Sequence, residues 1–207
     1  MSDGWRLFIA LPLPELALAA LDQRLAGPRA RDPAAHWVPR ALMHLTLRFL
    51  GEQPAACLPD LEAALAAVSA AGAPFDVALA GSGVFGRGQA RGRVFWLGLD
   101  GPGEAAVARL MAAVEASLAP LALVEAGRPA ERLRVHLTVA RRAGPDLPGA
   151  VAAALADGPS IGWRVDRLRL YRSHLEAPVA RHESLWTGRL GRSLTGAGSP
   201  VEGRPEG

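Results

Sequence analysis

The chain has 207 residues, half of them apolar and 21% charged, which is the composition of a globular protein with one sizeable domain or two small lobes. Its single cysteine, Cys57, excludes an internal disulfide and a cysteine-rich metal site, so we expect a cytoplasmic protein. The Leu- and Ala-rich residues 7–21 are interrupted by two prolines and a glutamate. We therefore expect neither a membrane span nor a signal peptide there.

The 23 basic residues are all arginine, and the formal net charge is only +3. A codon bias explains much of the arginine content, but it does not explain the clustering. Such clusters would suit a groove for a phosphate-bearing ligand, and equally they would suit solvated strand edges that resist aggregation. The clustered residues are Arg87, Arg91 and Arg93; Arg128, Arg132, Arg134, Arg141 and Arg142; and Arg164, Arg167, Arg169 and Arg172.

Apolar periodicity, punctuated by proline and glycine, predicts alternating strands and helices. Strands are predicted over residues 5–11, 36–38, 42–50, 75–85, 94–99, 133–140, 163–173 and 183–190. Helices are predicted over residues 14–25, 58–71, 101–118 and 149–155, with loops over 27–33 and 86–92. This pattern indicates an α+β fold with antiparallel sheet. Residues 1–191 are predicted to form the domain, and the Gly-, Pro- and Ser-rich residues 192–207 a disordered tail.

One tetrapeptide occurs twice: His44-Leu-Thr-Leu and His136-Leu-Thr-Val. The chain contains only five His and four Thr, so about 0.1 His-x-Thr pairs are expected by chance. In a strand, side chains two positions apart project to the same face. Each motif therefore presents an imidazole and a hydroxyl together, His44 with Thr46 and His136 with Thr138, while its apolar residues face a core.

Two such strands facing one cleft would surround a small anion with two imidazoles and two hydroxyls. An imidazole titrates near neutral pH, so one ring can act as a base and the other as an acid. This pair is what hydrolysis of a phosphodiester requires. Threonine hydroxyls and a nearby arginine can hold the non-bridging phosphate oxygens.

A single His-x-Thr could simply contain a structural histidine in the core or on the surface. The occurrence of the motif twice argues against that alternative. A zinc site is a second alternative, although no Asp, Glu or Cys occupies matching motif positions to complete a tetrahedral set. This argues against a metal site. The other three histidines, His36, His174 and His182, are expected to be structural or exposed.

Several further segments are distinctive beside the motifs: HWVP at residues 36–39, HLTLRFLG at 44–51, GVF at 83–85, RVFWLG at 93–98 and HLTVAR at 136–141. Together they resemble the RNA 2′,3′-cyclic phosphodiesterases, also called 2′-5′ RNA ligases, of the 2H phosphoesterases. The resemblance implies a two-lobed α+β fold with pseudo-twofold symmetry. Antiparallel sheets would line a central cleft, and the helices would lie outside.

The resemblance also implies residue roles. His44 would be the proton donor that protonates the leaving ribose oxygen, and His136 the proton acceptor that activates water. The product would be a 2′-phosphomonoester. Thr46, Thr138 and Arg141 would bind the phosphate. The resemblance implies no metal and no organic cofactor. The expected partner is RNA with a 2′,3′-cyclic phosphate end, or a cyclic nucleotide, and no membrane. The sequence shows no unusual apolar seam, so we expect a monomer.

Strand parity conflicts with part of this assignment. Arg141 lies five residues after His136, so an ideal strand aims it away from the cleft, and a bulge near Ala140 would restore its reach. Phe49 has the same conflict after the first motif, whereas Arg48 has the parity to face the cleft. We treat Phe49 and Arg48 as candidate nucleobase contacts, with a core aromatic and a solvated arginine as the alternatives. Trp96 is expected to be buried rather than a ligand platform.

Other functions remain open at this point. A ligase that forms 2′-5′ linkages from tRNA halves would run essentially the reverse reaction in the same site. A nucleotide-binding module would use the cleft without turnover, although binding alone would not need two titratable rings. The sequence does not separate the direction of the reaction.

Overall fold

The computed structural model describes residues 4–86, 94–124, 135–142, 144–175 and 180–191. Strands and helices mix along the chain, which confirms the α+β class. In order they are β1 (Gly4–Pro12), α1 (Glu15–Arg31), β2 (His36–Trp37), β3 (His44–Pro54), α2 (Leu58–Ala71), β4 (Phe75–Phe85), β5 (Val94–Leu99), α3 (Gly101–Leu118), β6 (Leu137–Arg141), α4 (Leu147–Ala156), β7 (Gly162–Val165), β8 (Arg167–His174) and β9 (Arg181–Arg189).

The strands form one curled antiparallel sheet in the order β7-β4-β5-β6-β3-β1-β8-β9, with β2 paired to β6. The centre of this order is the neighbouring pair β6 and β3, which carry the two His-Leu-Thr motifs. One lobe extends outward from β3 and the other from β6. Each lobe draws on distant parts of the chain, because β8 and β9 return from the C-terminal region to lie beside β1.

One face of the sheet packs against the helices. Leu7, Ile9 and Leu11 alternate along β1 and are at most 1% exposed. The helices cover this face with their own buried stripes, of which Leu21 in α1 and Leu61 in α2 are fully buried. Burying each such side chain contributes about 1.5–3 kcal/mol. The polar motif residues are left on the other face.

Helix α1 is longer than the sequence predicted. It continues through residues 27–31, which were expected to be a loop, and it contains Pro28. Proline lacks an N–H group and so removes one helical hydrogen bond. The buried position of Pro28 and the basic residues Arg29 and Arg31 in the last turn, where cations favour the helix dipole, offset that loss.

The single strand predicted over residues 163–173 is in fact two strands. They separate at Asp166, which Arg167 binds through two hydrogen bonds of 2.7 and 2.8 Å. Strand β7 pairs with β4 in one lobe, whereas β8 pairs with β1 and β9 in the other. The alternation of apolar residues shifts by one position at this break, from residues 163 and 165 to residues 168 and 170, and the prediction of a single strand overlooked that shift.

Candidate active site

The two motif strands meet at one residue pair at the centre of the sheet. Leu45 of β3 lies opposite Leu137 of β6 in an antiparallel register, and both side chains are fully buried. This leucine pair anchors the motifs in the core. The near-copy sequences on either side of it produce the local twofold arrangement that the resemblance implied.

The four polar motif side chains lie on the face opposite the leucine pair, because neighbouring side chains of a strand alternate. In the antiparallel register His44 is next to Thr138, and Thr46 is next to His136. Thr46 is buried and the other three are half-buried. The structure thus brings together both imidazoles and both hydroxyls that the sequence singled out.

His44 is held in one orientation by the chain just before β3. Its Nδ1 lies 2.8 Å from the carbonyl oxygen of Leu42. A carbonyl oxygen can only accept a hydrogen bond, so Nδ1 carries the proton, and Nε2 is the atom left to exchange one.

The pKa of His44 is lowered from 6.5 to about 4, chiefly because burial disfavours the charged ring. The hydrogen bond to Leu42 opposes this lowering, whereas the charges of His182 and His136 add to it. His44 is therefore neutral at pH 7 in the ligand-free protein.

Aromatic rings surround His44 on the β1, β8 and β9 side. The Phe8 ring lies 4.9 Å from it, the Tyr171 ring 6.3 Å, and the His182 ring 5.2 Å in an edge-on contact. Burial also lowers the pKa of His182. The sequence analysis did not place His182 at the site, since it lies in no motif and reaches His44 only because β9 returns beside β8.

His136 lies on the aromatic residues of the other lobe. Its ring makes edge-on contacts with Phe85 at 4.8 Å and Trp96 at 6.2 Å. Trp96 is only 5% exposed, as the sequence led us to expect. A Cβ atom at Gly83 would lie 2.2 Å from Trp96 Cζ2, so glycine is required there for the indole to fit beneath the site.

A bulge brings Arg141 to the site face. The pairing of β6 with β5 shifts between Thr138 and Ala140, so that Val139 is an extra residue. Val139 and Ala140 both face the core as a result, and each is fully buried. Arg141 returns to the face of Thr138 and is exposed. The bulge predicted near Ala140 is confirmed.

The first motif contains a matching bulge. The pairing of β3 with β1 makes Leu47 the extra residue, so Phe49 turns to the site face, where its ring lies 6.1 Å from Phe8. Phe49 is 50% exposed. The expectation that Arg48 faces the cleft is wrong, because the same bulge turns it toward the helices. Its Nη1 lies 3.3 Å from Glu115 Oε1 of α3.

Two further histidines that the sequence singled out have polar partners of their own, and several other residues that it singled out lie outside the described ranges. His36 is exposed and its Nε2 is 3.4 Å from Arg142, while His174 pairs with Glu183 Oε2 at 2.8 Å. The described parts of the chain contain no group of three or more His, Cys, Asp or Glu side chains arranged to hold a metal ion. Six of the clustered arginines lie outside the described ranges: Arg87, Arg91, Arg93, Arg128, Arg132 and Arg134.

None of the helices in the described ranges is long and apolar enough to cross a membrane.

Comparison with protein families places residues 14–177 in the 2′-5′ RNA ligase superfamily. An RNA 2′,3′-cyclic phosphodiesterase of Geobacillus stearothermophilus is 32% identical over 203 residues. That match covers 97% of this chain and 58% of the relative, so the chain spans little more than half of that protein's length. An RNA 2′,3′-cyclic phosphodiesterase of Thermus thermophilus is 34% identical over 174 residues, or 83% of each chain.

Solved structures show the same fold. A crystal structure of a Thermus thermophilus protein matches with a TM-score of 0.70 and 28% identity, over 90% of this chain and 98% of its own. E. coli LigT, solved in complex with 3′-AMP, matches with a TM-score of 0.67 and 24% identity, over 92% of this chain and all of its own. The curled, two-lobed sheet is therefore the fold of these proteins.

Proposed function

The chain belongs to the 2′-5′ RNA ligase superfamily, and from this premise we propose that it hydrolyses RNA 2′,3′-cyclic phosphodiester ends to 2′-phosphomonoesters. The observation that carries the proposal is the pairing of two His-Thr units on one face, across the Leu45–Leu137 pair. Two relatives named RNA 2′,3′-cyclic phosphodiesterase support the substrate class.

The proposed reaction is one in-line displacement at phosphorus. His136 takes a proton from water as the water oxygen bonds to phosphorus. The bond between phosphorus and the ribose 3′ oxygen breaks, and His44 gives that oxygen a proton through Nε2. The products are a 2′-phosphomonoester and a free 3′ hydroxyl. General acid and base catalysis of this kind contributes about 10²–10⁴-fold in rate.

The low pKa of His44 sets a condition on its role as proton donor. The ring must gain a proton before it can give one, and an anion bound opposite the ring favours the charged form. The phosphodiester is such an anion. We therefore propose that substrate binding raises the pKa of His44 and so prepares the acid for the reaction.

The phosphate in this proposal is held by Thr46, Thr138 and Arg141. The hydroxyls donate hydrogen bonds to its non-bridging oxygens, and the guanidinium forms charge-assisted ones, which are about twice as strong. Phe49 is proposed to contact the nucleobase, because this residue is half-exposed and lies on the site face. No step requires a metal ion or an organic cofactor. We propose that the enzyme acts as a monomer.

Product analysis tests this proposal most directly. Purified protein with a chelating agent is incubated with a 2′,3′-cyclic nucleotide and with an oligoribonucleotide that ends in a cyclic phosphate. We expect a 2′-phosphate from both. A 3′-phosphate would require the opposite P–O bond to break, and a joined 2′-5′ RNA would select the ligase reaction. Activity that chelation removes and zinc or manganese restores would contradict the metal-independent mechanism.

A further inference from the structure

One of the arginine clusters lies along β7 and β8, and the structure separates its members by their partners. Arg164 pairs with Asp76 at 3.2 Å. Arg167 binds Asp166 at 2.7 Å. These two arginines are neutralised by carboxylates, as expected of solvated strand edges. The full cluster is Arg164, Arg167, Arg169 and Arg172.

Within the described ranges, the other two members form no such ion pair. The Arg172 guanidinium carbon lies 4.0 Å from the centre of the Trp5 ring, a cation–π contact. Among the described residues no carboxylate lies within ion-pair distance of Arg169. Its one polar side-chain contact there is Nη1 donating to the Tyr171 hydroxyl at 3.5 Å, and its Nε is buried without a hydrogen-bond partner.

Arg169 lies on the same face of the sheet as the catalytic residues. It is opposite Ala10 of β1, and Ala10 is opposite Thr46 of β3, so the three form one row across the strands. Tyr171, two positions along β8, shares this face and stacks on Phe8 at 5.1 Å. Tyr171 thus contacts the Arg169 guanidinium and also lies 6.3 Å from the His44 ring.

We propose that Arg169 forms a second phosphate subsite, which binds the phosphodiester on the 5′ side of the terminal nucleoside. This inference rests on the proposed function, since the terminal cyclic phosphate is taken to lie between the two histidines. Two strand spacings, about 10 Å, separate the backbones of Arg169 and Thr46, and the long arginine side chain shortens that reach. A guanidinium with unused donors suits a phosphodiester anion.

The subsite predicts a difference between two substrates. A 2′,3′-cyclic mononucleotide has no second phosphate, whereas a dinucleotide with a 2′,3′-cyclic end has one. Arg169→Gln should lower kcat/KM for the dinucleotide about 10-fold, the loss of one hydrogen-bonded charge contact, and leave the mononucleotide within about twofold. Arg169→Lys should recover part of the loss.

Arg167→Gln is the matched control, because Arg167 lies on the same strand but already binds Asp166. It should leave both substrates unchanged. Equal loss on both substrates in Arg169→Gln would assign Arg169 to the catalytic centre or to folding, and unchanged turnover of the dinucleotide would remove it from RNA binding. Either result overturns the subsite.

A binding measurement separates the failure of this subsite from failure of the proposed function. If the wild-type protein turned over neither substrate, the proposed function would fail. Calorimetric titration with a dinucleotide bearing a terminal 2′-phosphate would still test Arg169. We expect about 10-fold weaker binding to Arg169→Gln than to the wild-type protein, and no difference for a 2′-mononucleotide. Equal dinucleotide affinities would overturn the inference.

Discussion

The two motif strands, β3 and β6, share the same backbone geometry but present different side chains. In each, a bulge directly after the threonine turns the fifth residue beyond the histidine to the site face. That residue is Phe49 on β3 and Arg141 on β6. The same backbone device therefore presents an aromatic ring on one side of the centre and a cation on the other.

The surroundings of the two motif histidines also differ. His44 is enclosed by Phe8, Tyr171 and a third imidazole, His182, whereas His136 rests on Phe85 and Trp96. Burial beside like charge is what lowers the pKa of His44. Two nearly identical tetrapeptides thus place their imidazole rings in different surroundings.

Removing either histidine should have the largest effect. His44→Ala and His136→Ala should each lower kcat/KM for a 2′,3′-cyclic nucleotide by about 10²–10⁴-fold, because each removes one proton transfer. The double variant should be little worse than the more damaged single variant, since the two groups act as a unit.

Circular dichroism should show that these variants remain folded, and His174→Ala, which alters only an ion pair on the β8–β9 hairpin, should retain activity. A single variant with the wild-type rate would show that only one half of the duplicated site is used.

The burial of His44 should also make the protein sensitive to acid. Its folded pKa of about 4 lies below the unfolded value of 6.5, so the unfolded chain takes up the proton first as the pH falls. The stability that this group contributes is complete above about pH 6.5 and is lost as the pH falls to about 4. The total loss is about 3 kcal/mol, and His182 acts in the same direction.

Urea unfolding measured between pH 7 and pH 4 checks this sign and size. His44→Gln should flatten the dependence on pH, whereas His36→Gln, at an exposed position, should retain it. If the His44→Gln protein lost stability with falling pH as steeply as the wild type, the His44 ring would not be the source of this pH dependence.

The smallest effect should come from the equivalent positions after the bulges. Arg141→Gln should lower kcat/KM about 10-fold on every cyclic substrate, because it removes a charge-assisted contact with the reacting phosphate. Phe49→Ala should raise KM roughly fivefold while kcat changes little, as the loss of one stacking contact predicts. Steady-state kinetics on two cyclic nucleotides with different bases measures both substitutions. Identical effects of the two substitutions would contradict the assignment of Arg141 to the phosphate and of Phe49 to the nucleobase.

Much of this site could be predicted from the amino-acid sequence alone, for a physical reason. A histidine and a threonine two positions apart on a strand must share a face, so His44 with Thr46 and His136 with Thr138 needed only the period of a strand. Arg141 came from the family resemblance, since strand parity alone opposed it and only a bulge could reconcile the two. Arg48 shows the limit of predicting side-chain direction from strand alternation. Because the bulge at Leu47 was not predicted, the alternation assigned Arg48 to the wrong face.

His182 and Arg169 could not be placed in this way. Both lie on strands that join the β1 side of the sheet after the chain changes lobe at Asp166. The apolar alternation shifts by one position at that break, but the shift does not tell which strand β8 pairs with.

The sequence by itself determined the alternation of each strand, most helix boundaries and the duplicated chemistry, because these depend on neighbours a few residues apart. Only the tertiary structure decided where the ladders slip by one residue, which strands join which lobe, and how deeply each imidazole is buried. Those outcomes depend on pairings between residues far apart along the chain, and the proton affinity of His44 depends on them in turn.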